Sequence, residues 1–430
     1  MDYKNIAGEF LKKYQQHPDF ISLKKGTEAM VLEMKKGLNN EPSSLMMIPT
    51  YLSTEGVVKL NEPAIAIDAG GSNLRIGLIN FTKDGEEIEG LHKQKMLGTE
   101  RALTNEEFIE ELTQLILPYM ERTDKIGFCF SFPSEILPNK DGRVIKFNKN
   151  VNISGAENTI LGEEIRACLK QHGITKDVGV VVLNDTVSTL LGGPNIPDPR
   201  MVDGQVGLIL GTGTNTAYSE NIREIKKLNM DSDGKMIINM ESGGFDKFPL
   251  GEFDKRMDAA SSTPGEHLFE KCVSGIYLGN LIAETVKQAA KEGLFSKGSK
   301  VEELPSFGMS VVDAFLRDPY GDNIIANACA NEDDVEMMTT FIDYAIDRAS
   351  KLVVINLAAC IMKMDGGKKA SAPARIVVEG STFHKCYGYK ERIEYYMQDF
   401  VVNTLQRHYL FTSGDDVNLA GSAIAAILNA

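Results

Sequence analysis

The sequence predicts an α/β protein built from two related halves. Three observations carry that expectation. Apolar strand-like runs alternate with amphipathic helical stretches along the chain, the pattern of sheets covered by helices. The run 178–183 is unbroken in its apolar character, as expected of a strand buried on both faces. A distinctive unit, an apolar strand followed by a Gly/Ser/Thr/Asn turn and a second strand, occurs at 64–79 and again at 206–219, roughly 140 residues later. That interval marks paired halves, because tandem solenoids repeat every ~20–50 residues.

Taken in order, residues 1–60 read as helical and partly amphipathic, ending near Pro49 and Pro63. Ala64-Ile65-Ala66-Ile67 and Arg75-Ile76-Gly77-Leu78-Ile79 flank a glycine-rich turn and form a hairpin. Thr104 and Glu107 make a capping box for a helix whose Phe108, Leu112, Leu115 and Ile116 share one face. Strands are expected at 125–132 and 178–183. The second hairpin turns at Gly211-Thr212-Gly213-Thr214-Asn215. The last third is mostly helical, over 335–364 and 391–408, with a strand at 375–378 running into Glu379-Gly380-Ser381 and a closing small-residue helix at 420–428. No low-complexity linker parts the halves, so a hinge is expected to join them.

The 430 residues are enough for two or three domains, or one large split one. With 43% apolar and 25% charged residues the makeup is that of a globular protein. Lys and Arg number 46 against 60 Asp and Glu, a net charge of −14. That balance argues against nucleic acid or an anionic membrane as a partner, since both need a basic face. An anionic substrate must then be held by local devices such as backbone amides, one or two cations or a metal. The six cysteines lie far apart without Cys-x-x-Cys, and no Cys/His pairing is read among them, so neither a disulfide framework nor a structural zinc site is expected. The longest apolar stretch, 352–362, contains Asn356 and is too short to span a bilayer. Residues 1–17 mix Asp2 and Glu9 with lysines and hold no hydrophobic run, so a cytoplasmic protein without a targeting peptide is expected. There is no Trp, which removes the largest sugar-stacking ring from any pocket.

Chemistry concentrates at the turns. In Asp68-Ala69-Gly70-Gly71-Ser72-Asn73-Leu74-Arg75, two glycines permit a turn whose amides point at phosphate oxygens. Asp68 at the strand end can orient Mg²⁺ through its water shell, and Arg75 can neutralise phosphate charge. The turn at 211–215 has the same chemistry. Thr216 stands where a dinucleotide fingerprint needs its last glycine, and a strand follows instead of a helix, which disfavours a dinucleotide site. At 293–300 a Walker-type loop lacks its lysine, having Ser299 there, and reads as a surface turn. Asn184-Asp185 directly follows the strand 178–183, at the carboxyl end where α/β sheets gather ligands. An Asp in that place also serves as N-cap for a helix starting at Thr186. Ser131-Phe132-Pro133 ends another strand, and Glu241 and Glu270 are isolated carboxylates.

Taken together, these motifs resemble the hexokinase family, glucokinases included, over nearly the whole chain. The pieces run in the family's order: IDAGGSNLR (67–75), FSFP (130–133), FNK (147–149), LNDT (183–186), GTGTN (211–215), INMESGGF (238–245), PGEHLFEKCVSGIYLG (264–279) and VEGS (378–381). The resemblance implies two unequal RNase H-like domains of the actin, Hsp70 and sugar-kinase superfamily around a cleft. It implies a small domain of 62–183 plus 419–430 and a large one of 1–61 plus 184–418. Asp185 falls on the catalytic base, with Lys149 beside it. Ser131, Phe132, Pro133, Asn148, Lys149, Asn184, Asn215, Glu241 and Glu270 fall on sugar-binding positions. Asp68, Gly70, Gly71, Ser72, Asn73 and Arg75 fall on the first phosphate segment, Thr212, Gly213 and Thr214 on the second, and Gly380 and Ser381 on the adenosine segment. The implied activity is ATP- and Mg²⁺-dependent phosphorylation of a hexose at its 6-hydroxyl, glucose leading, by a monomer or homodimer. The alternatives are a kinase for another hexose or amino-hexose, or a non-catalytic sugar sensor on the same fold.

The chain departs from the family at named places. Asn148 replaces the usual Thr, Phe147 and Ser242 stand where Trp is usual, and Thr263 where Asn is common. Ile276 takes the place of a lysine. The segment Gly414-Asp415-Asp416-Val417-Asn418-Leu419-Ala420-Gly421 lacks the family's Gly-Ser-Gly-Lys run.

Overall fold

The structure is a computed structural model and describes residues 2–147, 150–193 and 201–430. Two helices open the chain, α1 (Tyr3–Lys13) and α2 (Leu23–Leu38), N-capped by the side chains of Asp2 and Ser22. Helix does not continue to residue 60 as expected. Asn39-Asn40-Glu41-Pro42 breaks it, and the buried Glu33 carboxylate accepts from the Ser44 amide at 2.9 Å, folding the chain back. An irregular stretch follows, with only the short strand β1 (Ile48–Pro49).

The first hairpin is β2 (Ala64–Ala69) and β3 (Asn73–Thr82), antiparallel as expected, and β4 (Gly85–Lys95) extends it. Next come β5 (Leu103–Thr104), α3 (Asn105–Ile116), β6 (Lys125–Phe130), β7 (Ser134–Ile136), β8 (Gly142–Val144), β9 (Ile153–Ser154), α4 (Leu161–Gln171) and β10 (Gly179–Leu183). The Thr104–Glu107 capping box is present in both directions. Strand β6 stops two residues before the expected 132, ahead of Pro133, which has no N–H to continue a ladder. After α5 (Asp185–Leu191) the second hairpin, β11 (Gln205–Leu210) and β12 (Thr214–Asn221), pairs antiparallel and continues into β13 (Lys235–Asn239). Helices α6 (Glu252–Ala259), α7 (Leu268–Val273), α8 (Gly275–Lys291), α9 (Met309–Arg317) and α10 (Glu332–Lys363) follow. The chain then forms β14 (Ala374–Glu379), α11 (Ser381–Lys385), α12 (Tyr389–Tyr396), β15 (Tyr409–Thr412) and α13 (Val417–Asn429). The helix expected over 391–408 instead ends as α at Tyr396 and widens into a π-helix over Met397–Thr404.

Two sheets result, ordered β10-β6-β2-β3-β4 and β1-β13-β12-β11-β14-β15. With β1 set aside as an edge addition, each is an antiparallel three-strand meander whose first strand pairs in parallel with the fourth, itself parallel to the fifth. The echo between the two hairpins is therefore an echo of whole sheets, the doubled α/β architecture expected from the resemblance.

Each sheet has its own core. Alternation along β2 sends Ile65 and Ile67 toward α3 and α4, where they pack with Phe108, Leu112 and Ile165. Ala64 and Ala66 face the other way, under Leu419, Ala420 and Ala423 of α13. The six-stranded sheet packs against α2, α8 and α10, with Met34, Leu208, Ile282 and Leu357 in one cluster. Helix α5 lies on the six-stranded sheet and α13 on the five-stranded one, and the two helices pack on each other. Glycine makes that meeting possible. A Cβ on Gly421 would stand 1.9 Å from the Ser188 carbonyl oxygen, and one on Gly192 2.0 Å from that of Val417.

Candidate active site

The β2–β3 hairpin places Asp68 and Arg75 as direct cross-strand partners, with the Gly70 amide donating to the Asn73 carbonyl at 3.0 Å across the turn. Arg75 Nε donates to Asp68 Oδ2 at 2.9 Å and Nη1 to Asp416 Oδ1 at 2.6 Å. Burial pushes the Asp68 carboxyl above its ordinary range, and the Arg75 charge pulls against it. Gly70, Gly71, Ser72 and Asn73 from the turn line a cleft of about 380 Å³ together with Asp68 and Arg75. Lys93, Ser131, Asp185 and Asn418 complete its wall from other segments.

The second turn is held rigidly. The Gly211 carbonyl accepts from the Gly275 amide and the Thr382 hydroxyl, both at 2.8 Å. The Thr214 amide donates to Glu270 Oε2 at 2.9 Å and its hydroxyl to the Ile209 carbonyl at 2.8 Å, so Thr214 anchors the turn while Thr212 stays exposed. A Cβ on Gly213 would meet Glu270 Oε2 at 2.6 Å. Gly380, with φ +117°, brings the end of β14 against that of β11, where a Cβ would sit 2.4 Å from the Leu210 carbonyl. Gly380 and Ser381 therefore adjoin this turn.

Between the two turns lies a polar cluster. Asn184, not Asp185, is the N-cap of α5, and its Oδ1 accepts from the Thr186 amide at 2.9 Å. Asp185 is the first helical residue, and its Oδ1 accepts from the same amide at 2.7 Å. Asn239 Nδ2 donates to Glu241 Oε1 at 2.8 Å, and Asn215 Nδ2 reaches Asn239 Oδ1 at 2.8 Å and Glu241 Oε1 at 3.4 Å. Glu241 sits in the left-handed region at φ 54°. Burial pushes its carboxyl above the ordinary range, Asn239 opposes that, and the charges of Asp185 and Glu270 add to it. Ser131, Asn184, Asp185, Asn215, Glu241 and Glu270 are thus brought to one region; Asn148 and Lys149 lie outside the described residues. Phe132 is buried and its ring packs on Phe130 and Phe147, with Pro133 following it in the chain.

Several residues at the site escape sequence reasoning. Asn239 bridges Asn215 and Glu241; its place at the end of β13, two residues before Glu241, is the signal. Lys93 pairs directly with Arg75 across β3 and β4, but β4 lacks a motif. Asp416 and Asn418 come from the far end of the chain, and the sidedness of Glu379 shows only in the folded sheet, where burial raises its carboxyl and Asp68, Arg75 and Asp185 act on it. At the family departures, Phe147 packs its ring on Phe108, Phe130 and Phe132. Ser242 is buried, its hydroxyl donating to Thr216 Oγ1 at 3.1 Å.

A doubled α/β sheet with a glycine-rich turn at each half and a carboxylate on the helix between them fits a phosphoryl-transferring enzyme of the sugar-kinase class. One hexokinase family model matches residues 9–194 and a second matches residues 205–428. The chain is 28% identical over 437 residues to the chloroplastic hexokinase-2 of Nicotiana tabacum, covering 94% of this chain and 86% of that one. It is 27% identical over 433 residues to hexokinase-1 of Schizosaccharomyces pombe, covering 94% and 87%. Among solved structures, hexokinase from Schistosoma mansoni complexed with glucose superposes with TM-score 0.72 at 22% identity over 99% of this chain and 98% of that one. Another hexokinase crystal structure gives TM-score 0.77 at 20% identity over 97% and 99%. The chain belongs to the hexokinase family and is an enzyme that phosphorylates a sugar. Among the described residues no helix is long and apolar enough to cross a membrane.

Proposed function

We propose that the chain transfers a phosphoryl group from ATP to the 6-hydroxyl of a hexose, glucose before others, with Asp185 as general base. The observation that carries this is the position of Asp185, on the cleft wall with the Asp68–Arg75 turn and within electrostatic reach of Glu241 on the other side. Its Oδ1 is held by the Thr186 amide and hydroxyl, at 2.7 and 3.2 Å, leaving Oδ2 to accept the hydroxyl proton.

The residues present fit Mg²⁺ and a polyphosphate. A buried carboxylate, two cations and a turn with glycine amides line one cleft, the donor set that hard cations and phosphates require. Asp68 would hold the metal through water, and Arg75, Ser72, Asn73, Thr212 and Gly213 the phosphates, with Gly380 and Ser381 toward the adenosine. Mg-ATP, when bound, supplies the phosphoryl group and neutralises charge on it. Asn215, Glu241, Glu270, Asn184 and Ser131, with Asn148 and Lys149, form the polar fringe for the sugar, whose hydroxyls each need partners once removed from water. Units of 62–183 plus 419–430 and 1–61 plus 184–418 close on each other when sugar binds, which keeps water from competing as the nucleophile. The enzyme works in the cytoplasm as a monomer or homodimer.

Steady-state kinetics with a coupled ADP assay over glucose, fructose and amino-hexoses tests this reading. Glucose is expected to give the highest kcat/KM. Absence of ADP formation with every sugar, despite measurable sugar binding, would replace the enzyme reading with a sensor.

A further inference from the structure

Away from the cleft, the face of the five-stranded sheet opposite α13 is covered by α3 and α4. There a second set of metal-competent groups converges. His172, the C-cap of α4, sets its ring Nε2 2.9 Å and 3.0 Å from the two oxygens of Glu110 on α3. Cys168, one helical turn before His172, places its thiol 3.2 Å from Glu110 Oε2. The three ligand atoms lie within 4.8 Å of one another. This corrects the sequence reading, which expects no Cys/His pairing: Cys168-x-x-x-His172 is such a pair, on one face of a helix at i and i+4.

We propose that Glu110, Cys168 and His172 form a binding site for one zinc-type divalent ion, bridging α3 and α4. Tetrahedral Zn²⁺ bonds sulfur at about 2.3 Å and nitrogen or oxygen at about 2.0–2.2 Å, so its ligand atoms stand roughly 3.3–3.6 Å apart. The present contacts of 2.9–3.2 Å therefore need only a small opening to admit an ion. Binding replaces the Cys168 thiol proton, which leaves to solvent, and water fills the fourth position. Gln114 holds Glu110 from the same helix, Nε2 to Oε1 at 2.7 Å, as a partner that orients a ligand. The Cys168 thiol is buried, while His172 and Glu110 keep 30% and 46% of their side chains exposed, so the site has both a fixed floor and access from solvent. A thiolate and an imidazole select Zn²⁺ over Mg²⁺, which prefers all-oxygen ligands. The site is thus distinct from the Mg²⁺ place at Asp68, which projects from the α13 side of the sheet.

The test is Co²⁺ titration of the chelator-treated full-length protein. Expected is one equivalent bound with thiolate-to-cobalt charge-transfer absorption, displaced by Zn²⁺ and unaffected by excess Mg²⁺. Cys168→Ser is expected to abolish that absorption, and His172→Ala to weaken binding at least tenfold, with kcat for sugar unchanged in both, which shows that they fold. Zn²⁺ is expected to raise Tm in the unaltered protein and not in His172→Ala. No charge-transfer band at stoichiometric Co²⁺, or an equal band in Cys168→Ser, would overturn the proposal.

Discussion

At the scale of single residues, the buried Glu241 links the proposed sugar contact to stability. Its carboxyl is raised by burial, so its contribution to the fold is present below the ordinary glutamate range and is lost as pH rises through the raised value. Glu241→Gln keeps an Oε1 acceptor for Asn239 and Asn215 while removing the charge. The expected outcome is a higher Tm at neutral pH, a gain that vanishes below the ordinary glutamate range, together with weaker sugar binding; thermal scans across pH and calorimetry with glucose check both. Arg75 gives a second prediction. Two carboxylates, Asp68 and Asp416, hold its guanidinium, and Asp416 lies in the segment where the family carries Gly-Ser-Gly-Lys. Asp416→Asn is expected to lower KM for ATP by up to about fivefold, a pair of this exposure being worth about 0–1 kcal/mol. KM for sugar should stay unchanged. The residues legible in sequence here were those inside contiguous motifs, Asp68 to Arg75 and Asn184-Asp185. Asp416 and Lys93 were not, because their partner Arg75 is joined to them only by folding.

At the scale of elements, local rules carried far. The two hairpins, the Thr104–Glu107 capping box and the strand into Asp185 formed where turn chemistry and periodicity put them. The stretch after Leu38 did not, because Glu33 recruits Ser43 and Ser44 and ends the helix through a tertiary contact. Docking of α13 is the least local feature. A Cβ on Gly127 of β6 would stand 1.8 Å from the Ser422 carbonyl oxygen, an approach that only glycine permits. Since the obstacle is backbone, Gly127→Ala must displace the helix. Overpacking of this kind costs about 1–3 kcal/mol or more, so Tm should fall by a few degrees. Activity should fall with it, since Asn418 reaches the cleft wall from the first turn of α13. A variant with unchanged Tm and KM for ATP would contradict this account of the helix.

At the scale of the whole molecule, the doubled sheet explains why the net charge of −14 is compatible with a polyanionic donor. In the proposed complex the anion meets the two turns, Arg75 and Lys93, and Mg²⁺ offsets the carboxylates Asp68 and Asp185 that share the cleft. Closure around sugar is expected to reduce the radius of gyration by solution scattering when glucose is added, and ATP alone should not do so. At the two positions where the family usually carries Trp, Phe147 lies in an aromatic cluster and Ser242 in a hydrogen-bonded network beside Asn215. The central claim is that Asp185 takes the proton of the sugar hydroxyl. It is tested most directly by measuring kcat and glucose affinity together for Asp185→Asn. The account predicts that glucose binds within a few-fold of normal by calorimetry while kcat falls by about 10²–10⁴. Turnover within a few-fold of normal in that variant would contradict it.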